Sequence, residues 1–211
     1  MSKMFLQMLS GSLVSIEIFV LTLIFAIPLG FLVAKGRMSK NKIISAIVNF
    51  YIMVMRGTPL ILQLLFFYFA PYYIFGFSWG RFTAVIVAFT INYAAYFAEI
   101  YRGGIQSIDK GQYEASSVLG YTKSYSFFHI ILPQVIKRIM PAMANEIITL
   151  VKDTALAQTI GVAELFRVAQ TTSSRVFSTM PIFFAGVFYF IMNGVLSKLF
   201  DKVERKLAYY E

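Results

Sequence analysis

The chain has 211 residues, of which 58% are hydrophobic and 17% aromatic, while only 14% are charged. A water-soluble domain of this length cannot bury so much apolar surface, so part of the chain must face lipid. The net charge of +9 raises the question of nucleic-acid binding, but the basic residues lie where loops are expected, and we expect no nucleic-acid partner. With no cysteine and the single His129, disulfides are excluded and no metal site is expected.

Five apolar segments are predicted to cross the bilayer, whose hydrocarbon core needs roughly 20 helical residues. The first run is too long for a signal-peptide core and is followed by a basic loop, so we interpret it as a retained helix. Residues 43–55 are too short to span and are predicted to form an interfacial or lead-in helix, broken at Pro59. No soluble domain is evident, which predicts one membrane domain over residues 1–211. The predicted spans are residues 12–34, 59–75, 82–101, 134–156 and 181–200.

The distribution of Lys and Arg predicts the orientation of these spans. Fourteen of the 19 basic residues fall at Arg56, in the loops 35–42 and 102–138, or in the tail from Lys198. Basic loops face the cytoplasm, so the N-terminus is predicted outside and the C-terminus inside.

A polar, amphipathic segment separates the third and fourth predicted spans. Asp109 is placed to cap a short helix, and Gly120 is placed to end it in the left-handed conformation. Thr122 or Ser124 is expected to cap a second short helix, which Pro133 is expected to end.

Residues 114–133 read EASSVLGYTKSYSFFHIILP. This resembles the cytoplasmic signature loop of ABC-importer permeases, which reads Glu-Ala-Ala, three residues, Gly, nine residues, Ile, any residue, Leu-Pro. The resemblance implies a coupling helix, within the loop 103–133, that docks on a separate ATPase subunit. Ser116 replaces the second Ala, and Tyr121 adds an apolar anchor. The coupling residues are Glu114, Ala115, Ser116, Gly120, Tyr121, Ile130, Leu132 and Pro133.

Further motifs resemble the polar-amino-acid uptake permeases and extend the resemblance to residues 10–205. They are the run Arg56-Gly57-Thr58-Pro59-Leu60, the run 91–100, Arg102-Gly103-Gly104-Ile105, Asn145-Glu146 and the run 152–156. The resemblance implies the all-α type I ABC-importer permease fold with five transmembrane helices, in the bacterial inner membrane. It also implies two ATPase subunits, a second permease subunit, identical or homologous, and an extracytoplasmic amino-acid-binding protein.

The chain has no Gly-x-x-x-x-Gly-Lys-Ser/Thr loop to bind nucleotide phosphates. We therefore expect no catalytic residue and no cofactor in this chain, with ATP and Mg on the partner ATPase.

Polar residues inside predicted spans are candidates for the transport pathway, because they are costly in lipid. Asn92 and Glu146 are predicted at similar depth on adjacent helices, and in the family the matching positions line a substrate pocket. Thr149 and Tyr96 are the other pathway candidates. The alternative for Asn92 and Glu146 is a buried contact between helices.

Four other charged residues, within the predicted spans or next to one, are candidates for ion pairs. Glu17 and Lys152 have opposite charge and are a candidate structural pair, and Glu99 and Arg102 are spaced to pair on one helix.

The function that the resemblance implies is the permease subunit of an ATP-driven amino-acid importer. The alternatives are an independent secondary carrier and a non-transporting membrane subunit. A self-sufficient carrier is disfavoured because the five predicted spans show no inverted repeat.

Overall fold

The computed structural model describes residues 2–207, and within that range all regular structure is helical. A π-helical stretch, Phe127–Ile131, precedes α7, and a 3₁₀ helix, Thr154–Ile160, follows it. The α-helices are α1 (Ser2–Arg37), α2 (Lys42–Gly57), α3 (Leu60–Phe75), α4 (Arg81–Gln106), α5 (Lys110–Val118), α6 (Lys123–Ser126), α7 (Leu132–Asp153), α8 (Leu165–Val176) and α9 (Met180–Leu207).

Among the described residues, three helices are long and apolar enough to cross a membrane by themselves: α1, α4 and α9. Helices α2 and α3 pass the same test together, as a pair bent by 111°. The predicted second span therefore corresponds to α3, and the predicted lead-in helix to α2. The break between them falls at Thr58 and Pro59, as expected from proline.

Helix α7 covers most of the predicted fourth span, but it is not among the helices that are apolar enough to cross alone. Its 22 residues amount to about 33 Å of helix, enough for the hydrocarbon core. Its composition is the reason for the difference, because it carries five charged residues. These are Lys137, Arg138, Glu146, Lys152 and Asp153. Its crossing of the membrane remains a prediction.

Helix α1 packs on α4 along a row of residues spaced four apart, which is one face of a helix. A Cβ on Gly30 would lie 2.8 Å from Phe97 Cβ, closer than side chains approach. Small residues in this row therefore allow the two backbones to come close, as in other membrane helix pairs. The buried row consists of Ile18, Thr22, Ala26, Gly30 and Ala34.

Helix α4 is the most buried helix and forms the centre of the structure, in contact with α1, α2, α3 and α7. Its crossing with α7 depends on Gly104, since a Cβ there would lie 2.1 Å from Ile139 Cγ2. The close crossing fixes the position of α7 relative to α4. Their polar side chains face each other as a result, as the Tyr93–Asp153 hydrogen bond shows.

Candidate substrate pathway and coupling loop

The loop between α4 and α7 has the local structure that its sequence predicts. The Asp109 side chain caps α5 by accepting a hydrogen bond from the Gly111 N–H at 2.6 Å. Gly120 has a φ of +77°, in the left-handed region. The Thr122 hydroxyl caps α6 by accepting from the Tyr125 N–H at 3.3 Å.

The prediction that Pro133 ends the second short helix is wrong. Helix α6 continues through the π-helical stretch into α7, and Pro133 lies in the first turn of α7. The π-helical turn before it changes the hydrogen-bond register, with the Leu132 N–H bonded to the Phe127 carbonyl, and so accommodates a proline that has no N–H. Pro133 therefore joins the loop to the membrane helix without a gap.

The predicted coupling residues divide into an exposed group and an inward group. Ser116 is buried, and its hydroxyl donates to the Tyr113 carbonyl at 2.9 Å. Ile130 and Leu132 are half-buried and flank the fully buried Ile131. The exposed group consists of Glu114, Ala115, Gly120, Tyr121 and Pro133.

Two exposed apolar residues of the loop were not among the predicted coupling residues. Val118 is 87% exposed and Leu119 is 70% exposed, at the end of α5. They lie between Ser117 and Gly120, within the matched motif. They were not predicted because they occupy positions that the motif leaves unspecified, although the sequence shows two apolar residues next to a turn. Exposed apolar groups of this size favour a protein contact.

An aromatic column follows α5. The rings of Tyr121 and Tyr125 stack at 4.8 Å, and those of Tyr125 and His129 stack at 4.2 Å, nearly parallel. His129 Nδ1 lies 3.2 Å from the Tyr125 carbonyl oxygen. The stacked rings run from the exposed tip of the loop toward the start of α7.

Glu146, the main pathway candidate, is half-buried on α7. Within residues 4–207 its carboxylate has no hydrogen-bond or ion-pair partner. Thr149 and Tyr96, the two other candidates, are also half-buried. The structure thus leaves the Glu146 carboxylate available for a ligand. Its role in transport remains a prediction.

Asp153, one helical turn beyond Thr149, is engaged instead. Its Oδ2 accepts a hydrogen bond from the hydroxyl of Tyr93 at 2.7 Å. Tyr93 is only 2% exposed. This bond ties α4 to α7 and distinguishes Asp153, which has a partner, from Glu146.

The environment of Asn92 favours the helix-contact alternative. Its side chain is 3% exposed, and its amide donates to the Met55 carbonyl at 3.1 Å and to Gln63 Oε1 at 2.9 Å. The Gln63 amide also donates to the Met55 carbonyl, at 2.9 Å, and to the Thr58 carbonyl, at 3.1 Å. Both amides therefore donate hydrogen bonds to backbone carbonyls at the α2–α3 break.

Three charged residues, Glu99 and Arg102 of α4 and Arg56 of α2, form a cluster beside α4. Arg102 makes a two-point contact with Glu99, Nε to Oε1 at 2.9 Å and Nη2 to Oε2 at 2.7 Å, which confirms the predicted pairing. Arg56 Nη1 approaches Glu99 Oε2 at 3.7 Å, and its guanidinium lies 5.3 Å from the centroid of the Tyr96 ring. Counting charges placed Arg56 with the cytoplasmic loops and gave no indication of this contact.

The predicted ion pair between Glu17 and Lys152 is wrong. Both side chains are exposed, and the ion pairs of the described residues join only Arg56 and Arg102 to Glu99. Glu17 lies next to Ile18, whose side is the one packed on α4, so the Glu17 side chain points off that face.

A buried acid outside the membrane helices was not predicted. Glu164 is fully buried at the start of α8, where its carboxylate accepts from the N–H groups of Phe166, at 2.7 Å, and Arg167, at 2.6 Å, and from the Tyr189 hydroxyl at 2.9 Å. Burial raises the pKa of Glu164 above its ordinary value, and these hydrogen bonds partly oppose the rise. Ser15 of α1 accepts from the neighbouring Leu165 N–H at 3.2 Å. The cluster joins α1, α8 and α9.

Comparison with known proteins agrees with this arrangement. The family described as binding-protein-dependent transport system inner membrane component matches residues 26–209. This chain belongs to that family. It is a permease subunit of an importer and a multi-pass inner membrane protein.

Relatives and solved structures of the permease cover nearly the whole chain. The arginine transport system permease protein ArtQ of Bacillus subtilis is 37% identical over 94% of this chain and 91% of its own length. A protein of Rickettsia felis named for a glutamine transport system permease is 36% identical over 96% of this chain and 93% of its own length.

A solved structure titled as an amino acid ABC transporter with histidines matches 98% of this chain and 96% of its own, with a TM-score of 0.90 and 37% identity. A methionine ABC transporter, at 20% identity, has a TM-score of 0.74 over 97% of this chain and 96% of its own. At that identity the second match shows the shared fold alone.

Proposed function

We propose that the permease carries amino acids into the cell, powered by ATP hydrolysis on two separate ATPase subunits. The observation that carries this proposal is the loop between α4 and α7, which offers exposed Val118 and Leu119 on a segment with fixed caps. Large apolar side chains exposed to water are unfavourable in a loop without a partner, whereas a coupling helix buries them when it docks on the ATPase. The names of the relatives, which refer to arginine and glutamine, support amino acids as the substrate class.

The proposed arrangement has five crossings, with the N-terminus outside and the coupling loop in the cytoplasm. The second crossing is α3, which the lead-in helix α2 precedes, and the fourth is α7. Helix α7 is polar because, in this proposal, one face lines the pathway while the rest packs on α4. The pathway forms between this chain and a second permease subunit, and an extracytoplasmic binding protein delivers the substrate.

Labelling of introduced cysteines tests the orientation in this cysteine-free chain. Cysteines at Lys40 and Lys123 should react with an impermeant maleimide only from the cytoplasmic side. Cysteines at the exposed Ser78 and Ser174 should react only from outside. A reversed reaction at either pair contradicts the proposed five crossings.

Within the pathway we propose that Glu146 meets the ammonium group of the amino acid. A carboxylate in a membrane protein needs a compensating donor, water or cation. Glu146 has no such partner among the described side chains, and an ammonium group supplies both charge and hydrogen bonds.

Uptake by the reconstituted importer tests this function. The chain, its ATPase and its binding protein are placed in liposomes, and ATP-dependent uptake of labelled L-glutamine, L-arginine and L-histidine is measured. Glu146→Gln should lower uptake strongly while assembly and basal ATP hydrolysis persist. Glu17→Gln, which neutralises an exposed acid on α1, is the matched control and should transport normally.

Two results contradict the proposal. Uptake that proceeds without ATP and collapses with an ion gradient indicates a secondary carrier. Normal uptake by Glu146→Gln removes Glu146 from the pathway.

A further inference from the structure

Arg56 occupies an unusual place for a basic residue of this chain. It lies in the last turn of α2, just before the break with α3, and its guanidinium is 5.3 Å from the centroid of the Tyr96 ring. The ring face attracts the cation and fixes its position. Its side chain is nevertheless 45% exposed, so it is held in place without being enclosed.

The charges around Arg56 do not balance. Glu99 is the one carboxylate that pairs with it among the described residues, and both oxygens of Glu99 already accept from Arg102, at 2.9 and 2.7 Å. The Arg56 contact with Glu99 is longer, at 3.7 Å. Two guanidinium groups therefore share one carboxylate. A guanidinium has five N–H donors, and the 3.7 Å contact with Glu99 is the polar contact that Arg56 makes among residues 4–207.

Glu146 provides the opposite charge nearby. It lies on the same face of α7 as Asp153, two helical turns away, and Asp153 accepts a hydrogen bond from Tyr93 of α4. The Tyr93 ring is 6.2 Å from the Tyr96 ring, and Arg56 lies over Tyr96, yet Arg56 and Glu146 form no ion pair. A cation and a carboxylate that are not paired with each other are thus directed toward the same stretch of α4. An α-amino acid carries both an ammonium and a carboxylate, so it can satisfy both residues at once.

We propose that Arg56 binds the α-carboxylate of the transported amino acid, opposite the ammonium group at Glu146. The assignment rests on the proposed function, and it adds that the permease recognises the common end of α-amino acids. A guanidinium suits this task because its planar donors match a carboxylate at two points. Recognition at this site is then independent of the amino acid side chain.

The test compares each amino acid with its carboxamide, which keeps the ammonium group and loses the negative charge. Binding of L-arginine, L-glutamine and L-histidine, and of their amides, is measured by calorimetry on the whole importer in nanodiscs without the binding protein. The measurements are made at about pH 6.5, because an α-amino group beside an amide titrates at about 7.7–8.0.

The wild type should prefer at least one acid over its amide by roughly 10- to 100-fold, as expected for a charge-assisted hydrogen bond. Arg56→Gln should bind acid and amide equally, and Arg56→Lys should restore part of the preference. The control Arg167→Gln changes an exposed arginine of α8 and should keep the full preference. A loss of stability alone does not change this ratio.

The outcomes separate this inference from the proposed function. If Arg56→Gln keeps the wild-type preference, the Arg56 assignment is overturned, while amino-acid binding by the wild type continues to support the proposed function. If Arg56→Gln loses the preference and Glu146→Gln binds normally, Arg56 is supported and the role of Glu146 is not. If the wild type binds neither acid nor amide, the Arg56 assignment is overturned, and ATP-driven uptake by the same preparation decides the proposed function.

Discussion

The carbonyl oxygen of Met55 lies one helical turn before Pro59, the residue whose N–H would bond to it in a continuous helix. Proline has no N–H, so this carbonyl is left without a backbone donor. Asn92 of α4 and Gln63 of α3 supply side-chain donors instead, at 3.1 and 2.9 Å. The α2–α3 break is therefore stabilised by side chains that satisfy a backbone carbonyl without a backbone donor.

Asn92→Ala should destabilise the permease without changing its preference among substrates. The substitution leaves the Met55 carbonyl and the Gln63 side chain with one partner fewer, a loss of about 1–3 kcal/mol. Thermal unfolding of the purified importer measures the effect. Asn49→Ala, an exposed asparagine of α2, is the control and should be neutral. Unchanged stability with a large loss of substrate affinity contradicts this structural role of Asn92 and supports a position in the transport pathway.

The sequence was sufficient for the cap and the turn of the loop, which depend on nearby residues. The Asp109 cap and the left-handed Gly120 follow from the chemistry of a single turn, and both were predicted. The hydrogen bonds of Asn92 reach Gln63 and Met55, which are 29 and 37 positions away in the sequence. One sequence without relatives carries no signal for such a pairing. The contacts of Arg56 with Glu99 and Tyr96 were not predicted for the same reason, because a charge count does not show which side of a helix a residue faces.

Two predictions were wrong for different reasons. Pro133 was taken as a helix end, although proline can also lie within a helix where a π-helical turn precedes it. Lys152 was paired with Glu17 because both are intramembrane ions of opposite charge, and the apolar sequence of α1 does not show that the side of Ile18 is the buried one. Glu164 had no signal, since a glutamate before an apolar run rarely caps a helix with its own carboxylate.

Gly104→Ala should destabilise the crossing of α4 and α7. The added methyl group would lie 2.1 Å from Ile139 Cγ2, so the helices must separate or Ile139 must move. Overpacking of this kind costs about 1–3 kcal/mol. Thermal unfolding of the purified importer checks the prediction.

The neighbouring glycine and the opposing isoleucine provide the controls for that crossing. Gly103→Ala adds its methyl group where nothing lies within 4 Å and should be neutral or slightly stabilising. Ile139→Ala removes the atom that the added methyl group would meet. The double variant Gly104→Ala, Ile139→Ala should therefore lose less stability than the sum of the losses in the two single variants. Additive losses in the double variant mean that the two residues do not meet.

Stability of the region where α1, α8 and α9 meet should depend on pH through Glu164. Burial raises the pKa of this carboxyl in the folded protein above the ordinary 4.5, so the folded state binds the proton more tightly than the unfolded state. Stability is therefore highest below the ordinary pKa and falls as the pH rises through the raised value. Melting temperatures measured from about pH 4.5 upward should show this fall in the wild type and a flatter profile in Glu164→Gln. Parallel profiles for the two proteins contradict a raised pKa.

Gly120→Val should uncouple transport from ATP hydrolysis while leaving the membrane helices intact. Gly120 has a φ of +77° and no neighbour within 4 Å, so the penalty comes from the backbone conformation alone. A β-branched residue in the left-handed region costs about 1–3 kcal/mol, and the loop is expected to relax by reorienting α5 and its exposed Val118. Uptake and substrate-stimulated ATP hydrolysis should both be lost, whereas basal hydrolysis by the ATPase should remain.

The same substitution at Gly103 separates this effect from an added side chain as such. Gly103 is exposed, also has no neighbour within 4 Å, and lies within α4 with ordinary helical geometry. Gly103→Val should therefore retain most uptake, with a loss limited to the lower helix propensity of valine. If both variants transport normally, the left-handed turn does not orient the docking surface. If both fail equally, crowding of the loop is the cause, because only Gly120 carries the backbone strain.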